Sequence, residues 1–192
     1  MTIFLIRHGR TLANEQHLYC GSTDLPLSRA GREVLANRPP IDVGTAHFIT
    51  SGMRRCNETL AILFGDVPYE VVRDFREIDF GAFEMKRYEM LKDEPAYQAW
   101  LSRDPEINPP PGGESGEQMT RRVLAAYMTL ESRKENTVIV THGGVIMSML
   151  SQRALPSRHP EQWMADPGCG YTVQTDVQLW MRDRLVEAID IV

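Results

Sequence analysis

Residues 2–9 read TIFLIRHG and residues 137–143 read TVIVTHG, and these two stretches decide the fold class. In each of them a run of apolar and β-branched residues ends at a histidine that is followed by glycine. Such runs are typical of strands that are buried on both faces of a sheet, and the glycine lets the chain turn sharply afterwards. Both stretches are therefore predicted to be central strands that end at one crevice.

The rest of the chain alternates predicted strands with predicted helices. Further strands are expected at residues 46–50, 69–72, 171–175, 177–181 and 185–192, with a turn at residues 182–183. Helices are expected from a cap at Ser28 to Asn37, over 53–64, 85–92 and 96–102, from a capping box at Ser115 to Arg133, and after His142. This alternation predicts an α/β fold, a three-layer α/β/α sandwich with a mostly parallel central sheet, in which residues 1–192 form a single domain.

Composition limits the classes of function. The net charge of −5 gives no electrostatic reason to expect nucleic acid or an anionic membrane as a partner. No apolar run approaches the roughly 20 residues that span a bilayer, and the apolar start is too short for a secretory signal. The three cysteines form no CxxC motif, so each is expected to be a small buried hydrophobe. These features predict a cytoplasmic enzyme.

Basic side chains are expected to gather around the two strand-end histidines. Ligands of open α/β sheets bind beyond the carboxyl ends of the strands, so His8 and His142 would face the same crevice. Arg7 precedes His8, and Arg54–Arg55 open a predicted helix. Arginine binds phosphate oxygens with two parallel hydrogen bonds, and Asn14 could add a neutral donor. Together these residues predict a site for a phosphate monoester.

Six blocks of sequence resemble, in order, the signatures of the histidine phosphatase (phosphoglycerate mutase-like) superfamily. They are residues 7–11 with Asn14; Gly21, 24–28 and Gly31; 51–55 with Thr59; Glu77 with 80–81; 113–115; and 141–144. The resemblance covers most of the chain and implies the phosphoglycerate mutase-like version of the fold predicted above.

The resemblance also implies catalytic roles. His8 would attack phosphorus and form a phosphohistidine, with its other ring nitrogen held by a backbone acceptor. Alignment on Thr59 places the second phosphate-binding arginine at Arg55. Arg7, Arg55 and His142 would surround the phosphoryl oxygens, and His142 is expected to be cationic because a bound dianion would raise its pKa.

Glu77 would protonate the leaving alkoxide and later help to deprotonate the attacking water. The resemblance implies no metal and no cofactor, because cationic side chains take the place of Mg²⁺. A competing interpretation, zinc bound by His8 and His142, lacks an HxxxH motif or paired carboxylates to complete the site. A non-catalytic phosphate-binding module is a further alternative, and it predicts the loss of His8, His142 or Glu77, all of which are present.

Within the superfamily the sequence favours a phosphatase over a mutase. The stretch from Glu77 to residues 113–115 is short, and the tail has no basic extension. Residues 18–28 resemble the α-ribazole-5′-phosphate phosphatases, so that metabolite is a possible substrate beside other small phosphorylated metabolites. Arg10 stands where many members have Glu or Gln, and it would either favour a more anionic substrate or be a solvated loop residue.

The substrate rim is expected to include residues 84–97 and a proline-rich loop, residues 105–113, which is interpreted as an active-site flap. Tyr88 and Trp100 could stack on a ligand there, although packing between short helices is the favoured interpretation.

Overall fold

The computed structural model describes residues 1–130, 133 and 135–174, together with the backbone of residues 186–191. Its strands are β1 (Thr2–Arg7), β2 (Ala46–Thr50), β3 (Tyr69–Val71), β4 (Asn136–Thr141), β5 (Ala154–Leu155), β6 (Gly170–Gln174) and β7 (Val186–Ile191). Its α-helices are α1 (Leu12–Glu15), α2 (Arg29–Ala36), α3 (Arg54–Phe64), α4 (Tyr88–Leu91), α5 (Pro95–Ser102), α6 (Gly116–Met128) and α7 (Gly143–Arg153). Short 3-10 helices lie at Arg73–Phe75, Gly81–Phe83 and Pro160–Trp163.

In the described part of the chain, the strands form one sheet in the order β3-β2-β4-β1-β6-β7-β5. The four strands from β3 to β1 are parallel, β6 runs antiparallel to both of its neighbours, and β5 is parallel to β7. The prediction of a mostly parallel sheet is therefore confirmed. β1 and β4 are adjacent, with Arg7 opposite Thr141, so His8 and His142 leave the same edge of the sheet at the same level.

Side chains on the two faces of the sheet pack into two separate cores, which gives the three layers. Ile3 and Leu5 of β1 join Ile139 in a core with helices α6 and α7. Phe4 and Ile6 point the other way and pack with Met53, Leu60 and other residues in and beside α3. Successive residues of a strand point to opposite faces, so each apolar run buries side chains against helices on both sides.

Local signals set most helix ends as predicted. The Ser28 hydroxyl accepts a hydrogen bond from the Gly31 N–H at the start of α2. Ser115 and Gln118 form both hydrogen bonds of a capping box at the start of α6. The helix expected over residues 85–92 begins only at Tyr88, because Met85 has a φ of +58°, which a helix does not accommodate.

Helix α6 also ends earlier than predicted, at Met128 instead of Arg133. The N–H groups of Thr129 and Leu130 donate to carbonyls three residues back, so the chain tightens into a turn. Leu130 is buried by this turn. The helical spacing of apolar residues therefore extends past the end of the helix, which is why the predicted helix was too long. The strand predicted at residues 177–181 and the turn at residues 182–183 lie outside the described residues.

No helix in the described ranges is long and apolar enough to cross a membrane.

Candidate active site

His8 follows β1 directly and is buried, with 6% of its surface exposed. Its Nδ1 lies 2.7 Å from the carbonyl oxygen of Gly9. A carbonyl only accepts, so Nδ1 carries the proton and Nε2 keeps its lone pair. Burial, followed by the nearby charge of Arg55, lowers the pKa of His8 to about 3. The ring is thus a neutral imidazole whose Nδ1 is held by a backbone acceptor, as the resemblance implied, and whose Nε2 has no bonded partner among the described residues.

His142 follows β4 and is fully buried, and its ring meets that of His8 edge-on with centroids 5.2 Å apart. Arg55 Nε donates to His142 Nδ1 over 3.3 Å, so the proton of the ring is on Nε2, which donates to Ser51 Oγ over 2.9 Å. Burial and then Arg55 lower the pKa of His142 well below its usual value. His142 is neutral here because burial and the adjacent guanidinium both oppose a positive charge on the ring, and the cation expected with a bound dianion stays a prediction.

Arg55 lies in the first turn of α3 with 1% of its surface exposed. Its Nη1 donates to the carbonyl of Thr23 over 2.8 Å and its Nη2 to that of Gly21 over 2.7 Å. These bonds and the one to His142 use three of the five guanidinium N–H groups. Among the described residues, no partner is bonded to the other two donors of this fixed, buried cation, which can bind an oxyanion.

The loop that holds Arg55 is itself fixed by the carboxylate of Glu84. Glu84 accepts hydrogen bonds from the N–H groups of Gly21, Ser22 and Thr23, and from the Thr23 hydroxyl at 2.6 Å. A Cβ at Gly21 would lie 1.5 Å from the carbonyl oxygen of Ile78, so this close approach requires glycine. The loop at residues 21–23 and the guanidinium of Arg55 are therefore held in place by the protein itself, without a ligand.

Arg7, the last residue of β1, lies beside the start of α7. Its Nη1 donates to the carbonyl of Ala165 over 2.7 Å. Its Nε is buried without a hydrogen-bond partner among the described residues. Burial lowers the pKa of Arg7, while the carboxylates of Glu77 and Asp166 oppose that shift. A buried unpaired N–H costs about 1–3 kcal/mol, which a bound anion would offset.

Glu77 lies on irregular backbone at the N-terminus of α7. Its Oε2 accepts from the N–H of Gly144 over 3.1 Å, and its Oε1 accepts from the N–H of Ile78 over 3.0 Å. A Cβ at Gly144 would lie 2.4 Å from Glu77 Oε1, so this carboxylate sits directly on the helix end. The structure thus brings the predicted acid to the helix that begins at His142.

Asn14 and Arg10 line a neighbouring cavity of about 510 Å³ together with Arg7. The Oδ1 of Asn14 accepts from the N–H and hydroxyl of Thr11, which caps α1. Only the amide N–H₂ of Asn14 is left to act as the predicted donor. Arg10 is exposed at the cavity wall, which fits either interpretation given above.

The arrangement is suited to a phosphoryl group. A neutral nucleophilic nitrogen, two arginines, a histidine and the N-terminus of α7 converge at the carboxyl ends of β1 and β4, and helix N-termini favour anions. Among the described residues no group of three or more His, Cys, Asp or Glu side chains is arranged to hold a metal ion.

Comparison with known families agrees with this chemistry. The sequence profile of the histidine phosphatase superfamily (branch 1) matches residues 3–186. The chain belongs to this superfamily. Members of this superfamily include both phosphatases and mutases.

Three proteins similar to this chain illustrate this range. The adenosylcobalamin/alpha-ribazole phosphatase of Salmonella typhimurium is 31% identical over 88% of each chain. Phosphoglycerate mutase-like protein 4 of Arabidopsis thaliana is 34% identical over 81% of this chain and 71% of its own. The crystal structure of the alpha-ribazole phosphatase from Shigella flexneri superimposes with a TM-score of 0.84 and 26% identity, covering 100% of this chain and 96% of that one.

Several contacts of the candidate site were not predicted from the sequence. Ser51 was part of a matched block, but its bond to His142 was not foreseen, and neither was the role of Glu84 in fixing the Arg55 loop. Thr59 accepts from the N–H of Gly9 and donates to the carbonyl of Arg55, which joins the two phosphate-site segments. Apart from the bond between Thr59 and Arg55, each of these contacts joins residues far apart in the chain, so no local pattern signals it.

The cysteine and rim predictions were met in part. Cys56 is fully buried, 3.5 Å from His142 Nε2, and burial raises the pKa of its thiol to about 12. Cys20 and Cys169 are only half-buried, and Cys169 accepts a hydrogen bond from Arg38, so neither is a simple core residue. Trp100 is buried, as the packing interpretation required.

Tyr88 on α4 is 55% exposed, so it is not a packed core residue. The proline-rich loop is tied to the segment after Glu77, since Pro111 O accepts from Ala82 N and Asp79 O accepts from Glu114 N. Its role as a flap stays a prediction.

The buried His8 leads to a prediction about stability. Its pKa is about 3 in the folded protein and about 6.5 in an unfolded chain, so between these values the unfolded chain binds a proton that the folded protein excludes. The free energy of unfolding should therefore fall as the pH drops below 6.5, by about 2 kcal/mol from His8 at pH 5. Urea unfolding at pH 7, 6 and 5 in phosphate-free buffer measures this loss.

The matched variant is His8→Asn, which cannot titrate. We expect its stability to fall less steeply than that of the wild type over the same pH range. The same slope in both proteins would contradict the assignment of a depressed pKa to His8.

Proposed function

We propose that this histidine phosphatase hydrolyses phosphate monoesters of small metabolites through a phosphohistidine at His8, without a metal ion. The observation that carries the proposal is the state of His8, a neutral ring whose Nδ1 is held by Gly9 O. Such a ring has its Nε2 lone pair available at every pH near neutrality. A nucleophile in this state needs no separate base to activate it.

The proposed reaction has two displacements. In the first, His8 Nε2 forms a bond to phosphorus, the ester P–O bond breaks, and the proton of Glu77 goes to the leaving oxygen. In the second, Glu77 takes a proton from water, which attacks phosphorus and releases inorganic phosphate and free His8. Arg7 and Arg55 hold the phosphoryl oxygens in both steps, and the ring of His142, which accepts from Arg55 Nε, orients that guanidinium.

Hydrolysis is proposed in preference to transfer between two sugar positions. A mutase must keep its phosphorylated intermediate away from water, and the segment between Glu77 and Glu114 is short here, holding only two short helices besides a 3-10 turn. The relative from Salmonella typhimurium named as an alpha-ribazole phosphatase supports α-ribazole-5′-phosphate as the first specific candidate. The Arabidopsis thaliana relative keeps phosphoglycerate mutase activity as the alternative.

The test is a comparison of substrates in the presence of EDTA. α-Ribazole-5′-phosphate, 3-phosphoglycerate and p-nitrophenyl phosphate would be assayed for phosphate release, and 3-phosphoglycerate also for 2-phosphoglycerate. We expect phosphate release that EDTA leaves unchanged, with α-ribazole-5′-phosphate the best of the three. Formation of 2-phosphoglycerate faster than phosphate would favour the mutase, and loss of activity in EDTA would contradict metal-independent hydrolysis.

Equal slow turnover of all three esters would leave hydrolysis in place and contradict the α-ribazole assignment. Tight binding of inorganic phosphate with no turnover of any ester would instead indicate a non-catalytic phosphate-binding module. The proposal that residues 1–192 act as a single domain stays a prediction.

A further inference from the structure

Arg122, on helix α6, binds the backbone of the segment that carries Glu77. Its Nη1 donates to the carbonyl oxygens of Asp74 over 2.6 Å and Arg76 over 2.8 Å, and its Nη2 donates to that of Glu77 over 3.2 Å. One guanidinium therefore holds three carbonyl groups of a short stretch of chain. Arginine alone among the side chains has a planar set of donors wide enough for this.

Glu114 holds the other side of the same guanidinium. Its two carboxylate oxygens accept from Arg122 Nε over 2.7 Å and Nη2 over 2.6 Å, a bidentate pair. The side chains are only 23% and 20% exposed, so solvent screens this pair less than a surface pair. The N–H of Glu114 also donates to Asp79 O, so the pair is joined to the segment both before and after Glu77.

Glu77 needs such support because no strand or helix fixes its backbone. It lies between the 3-10 helices Arg73–Phe75 and Gly81–Phe83, where the chain has no regular hydrogen-bond ladder. A general acid must lie within hydrogen-bond reach of the atom it protonates, and a small displacement reduces the rate sharply. The glutamate and serine of the matched block at residues 113–115 gain a function here, since Glu114 orients Arg122 and Ser115 caps its helix.

We propose that Arg122 and Glu114 form a positioning pair for Glu77 and thereby determine how well the enzyme expels poor leaving groups. This inference rests on the proposed function, in which the proton of Glu77 goes to the leaving oxygen as the His8–phosphorus bond forms and the ester bond breaks. Neither member of the pair touches the phosphoryl group. Their effect is exerted through the position of the Glu77 carboxyl group.

The proposal makes a specific kinetic demand. p-Nitrophenolate leaves without a proton, whereas an alkoxide such as that of glycerol 2-phosphate requires one. A misplaced Glu77 should therefore slow the first step for the alkyl ester and spare it for the aryl ester. The ratio kcat/KM reports this first step, because kcat/KM depends only on the events up to the departure of the leaving group.

The experiment compares Arg122→Gln and Glu114→Gln with wild type on both esters. We expect kcat/KM for glycerol 2-phosphate to fall by about 10–10²-fold, which is part of the roughly 10²–10⁴-fold that a positioned acid contributes, and that for p-nitrophenyl phosphate by less than about threefold. The matched control is Arg121→Gln. Arg121 is the residue before Arg122 on α6, and its side chain is 73% exposed and pairs with Glu117. The Arg121→Gln variant should have the wild-type kcat/KM for both esters.

A cycle with Glu77→Gln provides the decisive comparison. If the pair acts through Glu77, adding Arg122→Gln to Glu77→Gln should cause no further loss with glycerol 2-phosphate. Equal losses on both esters, or additive losses in the double variant, would overturn the proposal. Should Arg122→Gln fail to fold by circular dichroism, Glu114→Gln, which keeps the guanidinium and its backbone bonds, gives the same comparison.

Failure of the proposed function would look different. Wild-type protein that hydrolyses neither ester would overturn both ideas together. Wild-type hydrolysis with no difference between leaving groups in the variants would overturn the positioning role alone.

Discussion

His8→Ala is expected to reduce kcat for p-nitrophenyl phosphate by at least about 10⁴-fold, the largest effect of any single change in this protein. The variant loses the attacking nitrogen, while the residues that bind phosphate remain. Water would then have to attack the bound ester directly, without the covalent intermediate. Steady-state assays of the variant in EDTA give the measurement.

Trapping of the intermediate tests the same prediction by a second route. Wild-type protein quenched in alkali after mixing with labelled substrate should retain a phosphoryl group that acid releases, as a phosphoramidate does. His47→Ala is the matched control, since His47, on β2, pairs with Glu70 of the edge strand β3, and the variant should keep full activity. If the His8→Ala protein retained a labelled phosphoryl group, or if its activity were near that of the wild type, the nucleophilic role of His8 would be contradicted.

Arg55→Lys is expected to reduce kcat/KM by about 10²–10³-fold, the second largest effect. Lysine keeps the charge but cannot make the bonds to Gly21 O and Thr23 O while also presenting two donors to a phosphoryl group. Loss of a buried donor to the phosphoryl oxygens removes stabilisation of the transition state, so the rate falls. Kinetics with p-nitrophenyl phosphate measure the loss.

Binding of inorganic phosphate separates a lost contact from a damaged fold. Phosphate that binds only the folded protein raises its melting temperature, and we expect this rise in wild type and not in Arg55→Lys. Arg54→Ala is the control, because its side chain is 60% exposed and pairs with Glu58. An equal rise in Arg55→Lys and wild type would show that Arg55 does not bind the anion.

The fold was predictable where one stretch of sequence carried the whole signal. β1 and β4 are runs of apolar residues, and α2 has both its cap at Ser28 and its stop at Pro39–Pro40 in the sequence. Helix α1 was not predicted, since its four residues are too few to show periodicity and its capping by Thr11 and Asn14 is visible only in space. The strand order was likewise hidden, because it depends on pairing between distant segments.

The candidate site was also predictable only where a single stretch of sequence carried the signal. His8 and His142 end two recognisable strands, and parallel strands bring their carboxyl ends together, so their meeting followed from the sequence. The tautomer of the His142 ring did not, because it is set by Arg55 and Ser51, which approach from other elements. Glu84 and Arg122 likewise gained their roles from backbone carbonyl and N–H groups that no sequence motif marks.

The pairing of β1 with β4 makes catalytic activity a measure of how far folding has progressed. His8 and His142 are separated by more than a hundred residues of sequence, so His142 and the helix that follows it are synthesised well after His8. Contacts between such distant segments form late, because a large loop must close before they are gained. A nascent or refolding chain should therefore hydrolyse no ester until the centre of its sheet is complete, and the return of turnover would time that single event.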